Sequence, residues 1–399
     1  MKFTPVKVVH VYYVPKGKKI AVGRLALKAP QIFFEYDSNF LKMDIHLSPF
    51  KLPLKSGLIP STDSTFDGLF GVFNDSLPDG WGRLLLDRAL TKHHLNPRSL
   101  SPLDRLCFVG SQGMGALTYE PETANSNTVL NNSLDKIAKE ISEFQKNNND
   151  HYVEDLLQLG GSSSGARPKV LINIKNKHWL IKFPSSFDPR DVSAIEYAYY
   201  LMAKDSGLDL PNAKIFPSRK KNGFFGCQRF DLTDLERIHM HTISGLLHAD
   251  HRIPTIDYEM MLKAAMHITH NIQNCRALYR QSVFNVISHN RDDHAKNFSF
   301  LMDETGKWKV SPAYDLTFSS GPGGEHCSTV MGEGQNPGKK HLLELAKTSN
   351  IKKSEALQII DEVKSSVIKW PQLAKKTGVS KSSSKLIDST IKRIIKENF

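Results

Sequence analysis

His289-Asn290-Arg291-Asp292-Asp293-His294-Ala295-Lys296-Asn297 lies between an amphipathic helical stretch and the apolar run Phe298-Ser299-Phe300-Leu301-Met302. So dense a set of charges usually decorates a surface, and between two apolar elements decoration is less expected. Asp292 and Asn297 stand in the spacing Asp-x-x-x-x-Asn. A catalytic loop for phosphoryl transfer uses that spacing to set a carboxylate on the acceptor hydroxyl and an amide oxygen on magnesium. Lys296 between them would neutralise the transferring phosphate.

The neighbouring segments extend the pattern. Downstream, Phe298–Leu316 reads as a hairpin with its turn at Glu304–Lys307. Asp315 falls at the end of its second strand, 18 residues after Asn297, where a second magnesium-binding carboxylate belongs. An Asp that only caps a strand end is the plain alternative. Upstream, Gly160-Gly161-Ser162-Ser163-Ser164-Gly165-Ala166-Arg167-Pro168-Lys169 leads into a strand. Small residues let backbone N–H groups approach phosphate oxygens, and serine hydroxyls add donors. Alone, such a loop passes for a linker. Lys182 ends the next strand, 13 residues after Lys169, and Glu196 follows 14 residues later on a helix. A lysine there holds nucleotide phosphates in a protein-kinase-like fold, and an ion pair to Glu196 would fix its aim. Each signal alone is weak; the argument is that all four occur in the right order.

The remainder organises around these pieces. Val8–Val14, Arg24–Lys28, Gln31–Tyr36 and Ala116–Glu120 read as strands. Asp75–Leu95 reads as a helix with Pro78 in its first turn and a stripe of Leu84, Leu85, Ala89 and Leu90. Glu122–Asn132 is polar and unpatterned, a linker candidate. Leu134–Gln145 is an amphipathic helix ended by Asn147–Asp150. Strands at Lys169–Ile174, His178–Pro184, Ile215–Ser218 and Gly223–Phe230 accompany a helix at Ser193–Ser206, closed by Gly207 and Pro211. From Leu232 onward helical periods dominate outside the hairpin.

The chain has 399 residues and a formal charge of +12. That length exceeds one compact core, and the ordinary composition excludes collagen-like, coiled-coil or fully disordered chains. Residues 335–399 hold 14 Lys/Arg against 6 Asp/Glu, a net +8 (14 − 6). Such a balance suits nucleic acid or nucleotide phosphate as partner. No run approaches the ~18 apolar residues of a membrane span, and Val8–Val14, broken by His10, is too short for a signal segment. Cys107, Cys227, Cys275 and Cys327 form no Cys-x-x-Cys pair, hence neither a zinc site nor a disulfide framework. The expected location is cytoplasmic, with no membrane partner.

DSLPDGWGR (75–83), VGSQGMGAL (109–117), GSSSGARPK (161–169), IKFP (181–184), QRFD (228–231), HNRDDHAKNFS (289–299) and SPAYDLT (311–317) together resemble the HipA-type serine/threonine kinases. These are toxins of bacterial toxin–antitoxin pairs. The resemblance runs from about residue 70 to residue 320. It implies that Ser164, Gly165, Ala166, Arg167, Pro168 and Lys169 cover the nucleotide phosphates and that Lys182 contacts them. It implies a hinge at Gln228, Arg229 and Phe230 that holds adenine. Asp292 would be the catalytic aspartate. His294, Ala295, Lys296 and Asn297 would line the nucleotide and metal site, which Tyr314 and Asp315 complete. Ser162, with Ser163 and Ser164 as alternatives, falls where family members autophosphorylate, an event that expels the loop. The chain departs from the family at Gln228, at Leu232 and at Asp293, an acid beside the catalytic one that would raise its pKa or recruit metal differently.

Other features carry less. Gln372–Lys381, with Gly378 at a turn, reads like a helix-turn-helix, though Leu345–Ile351 repeats the string and favours generic helix pairs. His239, His241, His248 and His251 lack a companion set with zinc spacing. Cys227 reads as packing and Trp81 as a buried anchor of the N-terminal part.

The expected architecture is α+β, a two-lobed protein-kinase-like fold. A β-rich subdomain (1–125) precedes the nucleotide-binding core of the small lobe (135–230) and a mainly helical large lobe (231–399). The expected activity is ATP- and Mg²⁺-dependent phosphorylation of a protein serine or threonine, by the resemblance on an aminoacyl-tRNA synthetase or another translation protein. A HipB-type helix-turn-helix antitoxin would bring the kinase to operator DNA. The alternatives are a catalytically weak corepressor that keeps the kinase fold and binds DNA with an antitoxin, and a small-molecule kinase using the same residues.

Overall fold

The computed structural model describes residues 4–123, 133–147, 150–161, 165–219, 222–233 and 236–399. Ser162, Ser163 and Ser164 lie outside the described residues, as does nearly all of the linker candidate.

The N-terminal part is a five-stranded antiparallel sheet in the order Leu58–Pro60, Gln31–Tyr36, Ile20–Lys28, Val8–Tyr13, Leu117–Glu120. Strict alternation builds it. Val9, Val11 and Tyr13 are buried while Val8 and His10 face out, as a period of two requires. The edge strand Leu58–Pro60 is absent from the sequence reading because three residues show no alternation. A second antiparallel sheet runs Lys169–Asn173, His178–Lys182, Phe224–Gln228, Ala213–Phe216. The hairpin strands Ser299–Met302 and Trp308–Val310 gain a third, His239–Thr242, that sequence reasoning passed over. The hairpin turns where Asp303 and Lys307 face each other, and its second strand stops at Val310, five residues short of Asp315.

Two main cores and a small third cluster (Leu86, Leu90, Leu100) divide the described residues. The larger joins the inner face of the five-stranded sheet (Val9, Val11, Phe34) to the helices Tyr258–Thr269, Ile272–Ser288 and Lys353–Val367. The helix Val192–Asp205 also turns Ile195, Tyr199 and Met202 into it, and that burial fixes the face carrying Glu196. The smaller core lies under the four-stranded sheet. It takes in Phe144, Leu156, Trp179 and Ile181 together with Trp81 and Leu85. Trp81 is therefore a buried anchor, but one that ties the N-terminal part to the small-lobe core.

The helix expected from Asp75 begins at Gly80 and ends at Lys92. Pro78 precedes it, and Asp79 at its N-terminal boundary is extended, its carboxylate engaged elsewhere. Docking of Trp81 sets the helix phase, so Leu86 is buried and Leu84 is 44% exposed, the reverse of the expected stripe at that point.

The candidate helix-turn-helix is a helical pair, Trp370–Thr377 and Lys381–Asn398, with Gly378 at φ +82°. The start of its second helix is already occupied. Ser380 N–H donates to Asp191 at 2.8 Å and Ser383 Oγ to the same carboxylate at 3.2 Å. A base-reading helix leaves that end for DNA. Trp370 is fully buried, packs edge-on against Tyr199 at 5.4 Å, and donates its indole N–H to Ser384 O at 3.1 Å. Trp370→Ala is expected to cost about 3–5 kcal/mol, read as a lower urea midpoint at unchanged slope.

Candidate active site

A cavity of about 560 Å³ opens where the four-stranded sheet, the hairpin exit and the N-terminal part meet. Small-molecule sites usually occupy ~300–1,000 Å³, so the space admits a nucleotide.

Lys182 enters from its strand almost fully buried. Its ammonium pairs with Glu196 and lies 2.5 Å from Asp315 Oδ1. Burial opposes the Lys182 charge, but Asp315 and Glu196 outweigh it and raise the pKa, so the ammonium stays charged. Burial likewise opposes ionisation of Asp315, and the Lys182 and Lys169 ammonium groups reverse this and hold the carboxyl well below its usual range. Burial dominates at Glu196 and pushes its pKa up. Asp315 has φ +57°, a left-handed conformation uncommon outside glycine and tolerated best by Asp and Asn.

Lys169 is buried beside them, and burial lowers its pKa. Gly165, at φ +90°, makes room for it: a Cβ there would sit 2.5 Å from the Lys169 ammonium. Arg167 lines the cavity and is anchored by Asp188 at 3.1 Å.

The helix Ile272–Ser288 stops at His289, which turns left-handed at φ +58°. The loop that follows separates its two acids. Asp292 faces the cavity with its side chain 49% exposed, His294 Nε2 at 3.8 Å. Burial raises its pKa and His294 opposes the rise. Asp293 turns inward and is fully buried, accepting from Tyr258 OH at 2.8 Å and bonded to His326 Nδ1 at 2.8 Å. This corrects the expectation that Asp293 recruits metal: its lone pairs are spent inside the large lobe, and it ranks last among the influences on Asp292. Asn297 ends a single 3₁₀ turn, and its amide nitrogen donates to Asp292 O at 2.7 Å, leaving the amide oxygen for a cation.

Gly165, Ala166, Arg167, Lys169, Lys182, Asp292, His294, Lys296, Asn297, Tyr314 and Asp315 therefore line one cavity. Pro168, Gln228, Arg229, Phe230 and Ala295 do not. Gln228 accepts from Asn212 at 3.3 Å, and Arg229 grips Asp231 through two bonds of 3.0 and 2.7 Å. Asp231 in turn receives the Gly115 N–H. The Gln228 and Arg229 backbone N–H groups are taken as well, by Asn212 O at 2.7 Å and His178 O at 2.8 Å. Phe230 leans on Tyr314 at 5.7 Å.

Three of the four histidines are structural. His239 bonds Leu47 O, His241 bonds Asp75 and Ser48, and His248 bonds Asp63 and the Gly71 N–H. They dock the large lobe onto the N-terminal part. Cys227 lines the cavity beside Lys182, and burial pushes its thiol up to about 11, so it is no nucleophile at neutral pH. Sequence reasoning gave no role in the site to Asp79, which lies in the cavity wall, and weighed His251, also in that wall, only as a zinc ligand. The available signal for Asp79 was a Pro-Asp-Gly break ahead of an apolar helix. No helix among the described residues is long and apolar enough to cross a membrane.

Comparison with known proteins gives a consistent picture. A provisionally named kinase of Haemophilus influenzae is 25% identical over 181 residues, 40% of this chain and 53% of that one. A second, the provisionally named kinase Y4dM of Sinorhizobium fredii, is 24% identical over 151 residues, 35% of this chain and 36% of that one. The chain thus spans about half or less of these relatives' length. Among solved structures, the HipA of Shewanella oneidensis MR-1, determined with HipB and its operator DNA, superposes with a TM-score of 0.70. Its identity is 15%, with 97% of this chain and 95% of that chain covered. That likeness supports the two-lobed α+β kinase-like fold. The HipA N-terminal domain profile matches residues 16–120 and the HipA-like C-terminal domain profile matches 161–370. On this evidence the chain belongs to the HipA family.

Proposed function

We propose that this protein is an ATP- and Mg²⁺-dependent protein serine/threonine kinase of the toxin–antitoxin kind. One observation carries the reading: Lys182, the loop residues Asp292 and Asn297, and Asp315, from three separate segments, face one cavity. The donor set fits a magnesium ion and a nucleotide polyphosphate. An Asp carboxylate and an Asn amide oxygen are hard oxygen ligands suited to magnesium. Lys169, Lys182 and Arg167 form a cationic wall suited to a polyphosphate. ATP supplies the phosphoryl group, and the metal screens its charge.

The remaining work falls to the chain. Lys182, aimed by Glu196, and Arg167, aimed by Asp188, hold phosphate oxygens. Asp292 orients the acceptor hydroxyl and takes its proton, a task that a raised carboxyl pKa serves. Asn297 and Asp315 would hold magnesium, and Lys296 would offset charge on the transferring group. Little covalent chemistry is asked of the protein; positioning and charge neutralisation suffice. The division at 1–125, 135–230 and 231–399 goes with this reading, the helix Gly80–Lys92 lending Trp81 to the second core.

The Shewanella HipA crystallised with HipB and operator DNA. By that analogy the partner here is a HipB-type antitoxin, and DNA is reached through it, with the +8 tail near phosphate. The protein substrate is taken to be an aminoacyl-tRNA synthetase or another translation protein, in the cytoplasm. A catalytically weak corepressor is the second reading. The occupied start of the helix Lys381–Asn398 weakens direct base reading, and the four intact site residues favour catalysis.

The test is intact-mass spectrometry of purified protein incubated with Mg-ATP. Wild type is expected to gain one or more phosphates mapping to Ser162, Ser163 or Ser164. Confirmed ATP binding with no mass gain, from an unmodified start, would move the assignment to the corepressor.

A further inference from the structure

Asp79 belongs to the N-terminal part, yet one carboxylate reaches two loops of the catalytic half. Its Oδ1 accepts the Gly165 N–H, and its Oδ2 accepts from the Lys296 ammonium at 2.7 Å, with His251 Nε2 at 3.7 Å. The contact with Gly165 is returned two residues on, where Trp81 N–H donates to Gly165 O at 2.9 Å. Gly80 between them has φ +41°, and a Cβ there would lie 2.5 Å from the Gly165 carbonyl oxygen. Only glycine lets the two backbones meet. Lys296 is held from the other side, its C=O accepting from Tyr314 OH at 2.6 Å. Burial opposes the Asp79 charge, but Lys296 and the Gly165 amide outweigh it and hold the pKa at about 2, so the carboxylate is an anion.

A buried ion pair is weak evidence for a stability role, since apolar replacements often do as well. What sets this one apart is its placement: Asp79, Gly80, Gly165 and Lys296 all line the cavity. Gly165 is the first described residue after the three serines, and Lys296 sits next to Asn297.

We propose that Asp79 is a positioning residue for phosphoryl transfer, clamping the Gly/Ser-rich loop to the catalytic loop so that the N-terminal part sets the geometry of the nucleotide site. The inference rests on the kinase reading above. The experiment compares full-length wild type, Asp79→Asn, Lys296→Met and the double variant. Backbone hydrogen exchange over Gly165–Val170 is expected to quicken about tenfold in Asp79→Asn. The KM for ATP should rise about tenfold, the same factor applied to nucleotide affinity. Each single variant leaves one buried partner without its counter-charge and should also lower the thermal midpoint, so exchange and KM carry the test. The double variant should lose less than the sum of the singles, because both remove one bridge. Lys296→Met keeps the Asp79–Gly165 contact and supplies the comparison if Asp79→Asn folds poorly: there, too, the KM for ATP should rise. Unchanged exchange and unchanged KM, or strictly additive losses, would overturn the clamp. Exchange reads the clamp without turnover, so a wild type that transfers no phosphate overturns the kinase reading separately.

Discussion

Asp292→Asn protein incubated with Mg-ATP is expected to keep its unmodified mass over the time in which wild type gains phosphate, a rate loss of about 10²–10⁴-fold. The fold gives the substitution little to disturb. The Asp292 side chain is half exposed, and the His294 imidazole stands at 3.8 Å. Asn297 is held by the Asp292 backbone carbonyl, which the variant keeps. An amide of the same shape therefore leaves the loop in place, and stability should change by no more than about 0.5 kcal/mol. What is lost is a carboxylate whose pKa burial has raised. Such a group can both orient a hydroxyl and accept its proton, and an amide can do only the first. Phosphate gain at the wild-type rate would remove Asp292 from the reaction.

The two neighbouring acids also show what sequence can and cannot reveal. The spacing from Asp292 to Asn297 is short-range, so the loop was legible, as were Lys182, Glu196 and Asp315 from their order along the chain. Which of Asp292 and Asp293 turns inward was not legible. That is decided by the left-handed turn at His289 and by partners such as Tyr258 and His326, 35 and 33 residues away from Asp293. Asp79 is the extreme case. Its two bonds span 86 and 217 residues, and no local pattern marks them. Arg229 failed for a nearer reason: Asp231 is two residues away and offers a bidentate grip stronger than any hinge contact its side chain would make. Strands with clean alternation, such as Gln31–Tyr36, were read to the residue. Leu58–Pro60 and His239–Thr242 were not, because three or four residues held by pairing alone carry no period of their own.

Lys182→Met should separate the two tasks of this lysine. The ammonium stands between Glu196 and Asp315 in a buried site, so its removal leaves two carboxylates without their directly paired cation, with only the more distant Lys169 and Arg167 to offset them. Breaking a buried pair in this way costs about 3–5 kcal/mol. The cost should depend on pH, and its sign follows from the folded-state pKa values. Burial holds Glu196 above its ordinary value even with Lys182 present. An acid whose folded pKa is raised binds its proton more tightly in the native state, so stability falls as pH rises from the unfolded value through the folded one. Without Lys182 that window widens for Glu196, and Asp315 loses the ammonium that depresses it. The deficit against wild type should therefore be larger at pH 8 than at pH 5 in urea unfolding; equal deficits would show that the two carboxylates do not sense the lysine. Adding Glu196→Gln to Lys182→Met removes one uncompensated charge and should restore part of the stability. Nucleotide binding should not return with it, because no carboxamide replaces an ammonium aimed at phosphate. Stability regained together with ATP affinity would mean that Lys182 serves the fold and that the phosphates are held by Lys169 and Arg167 instead.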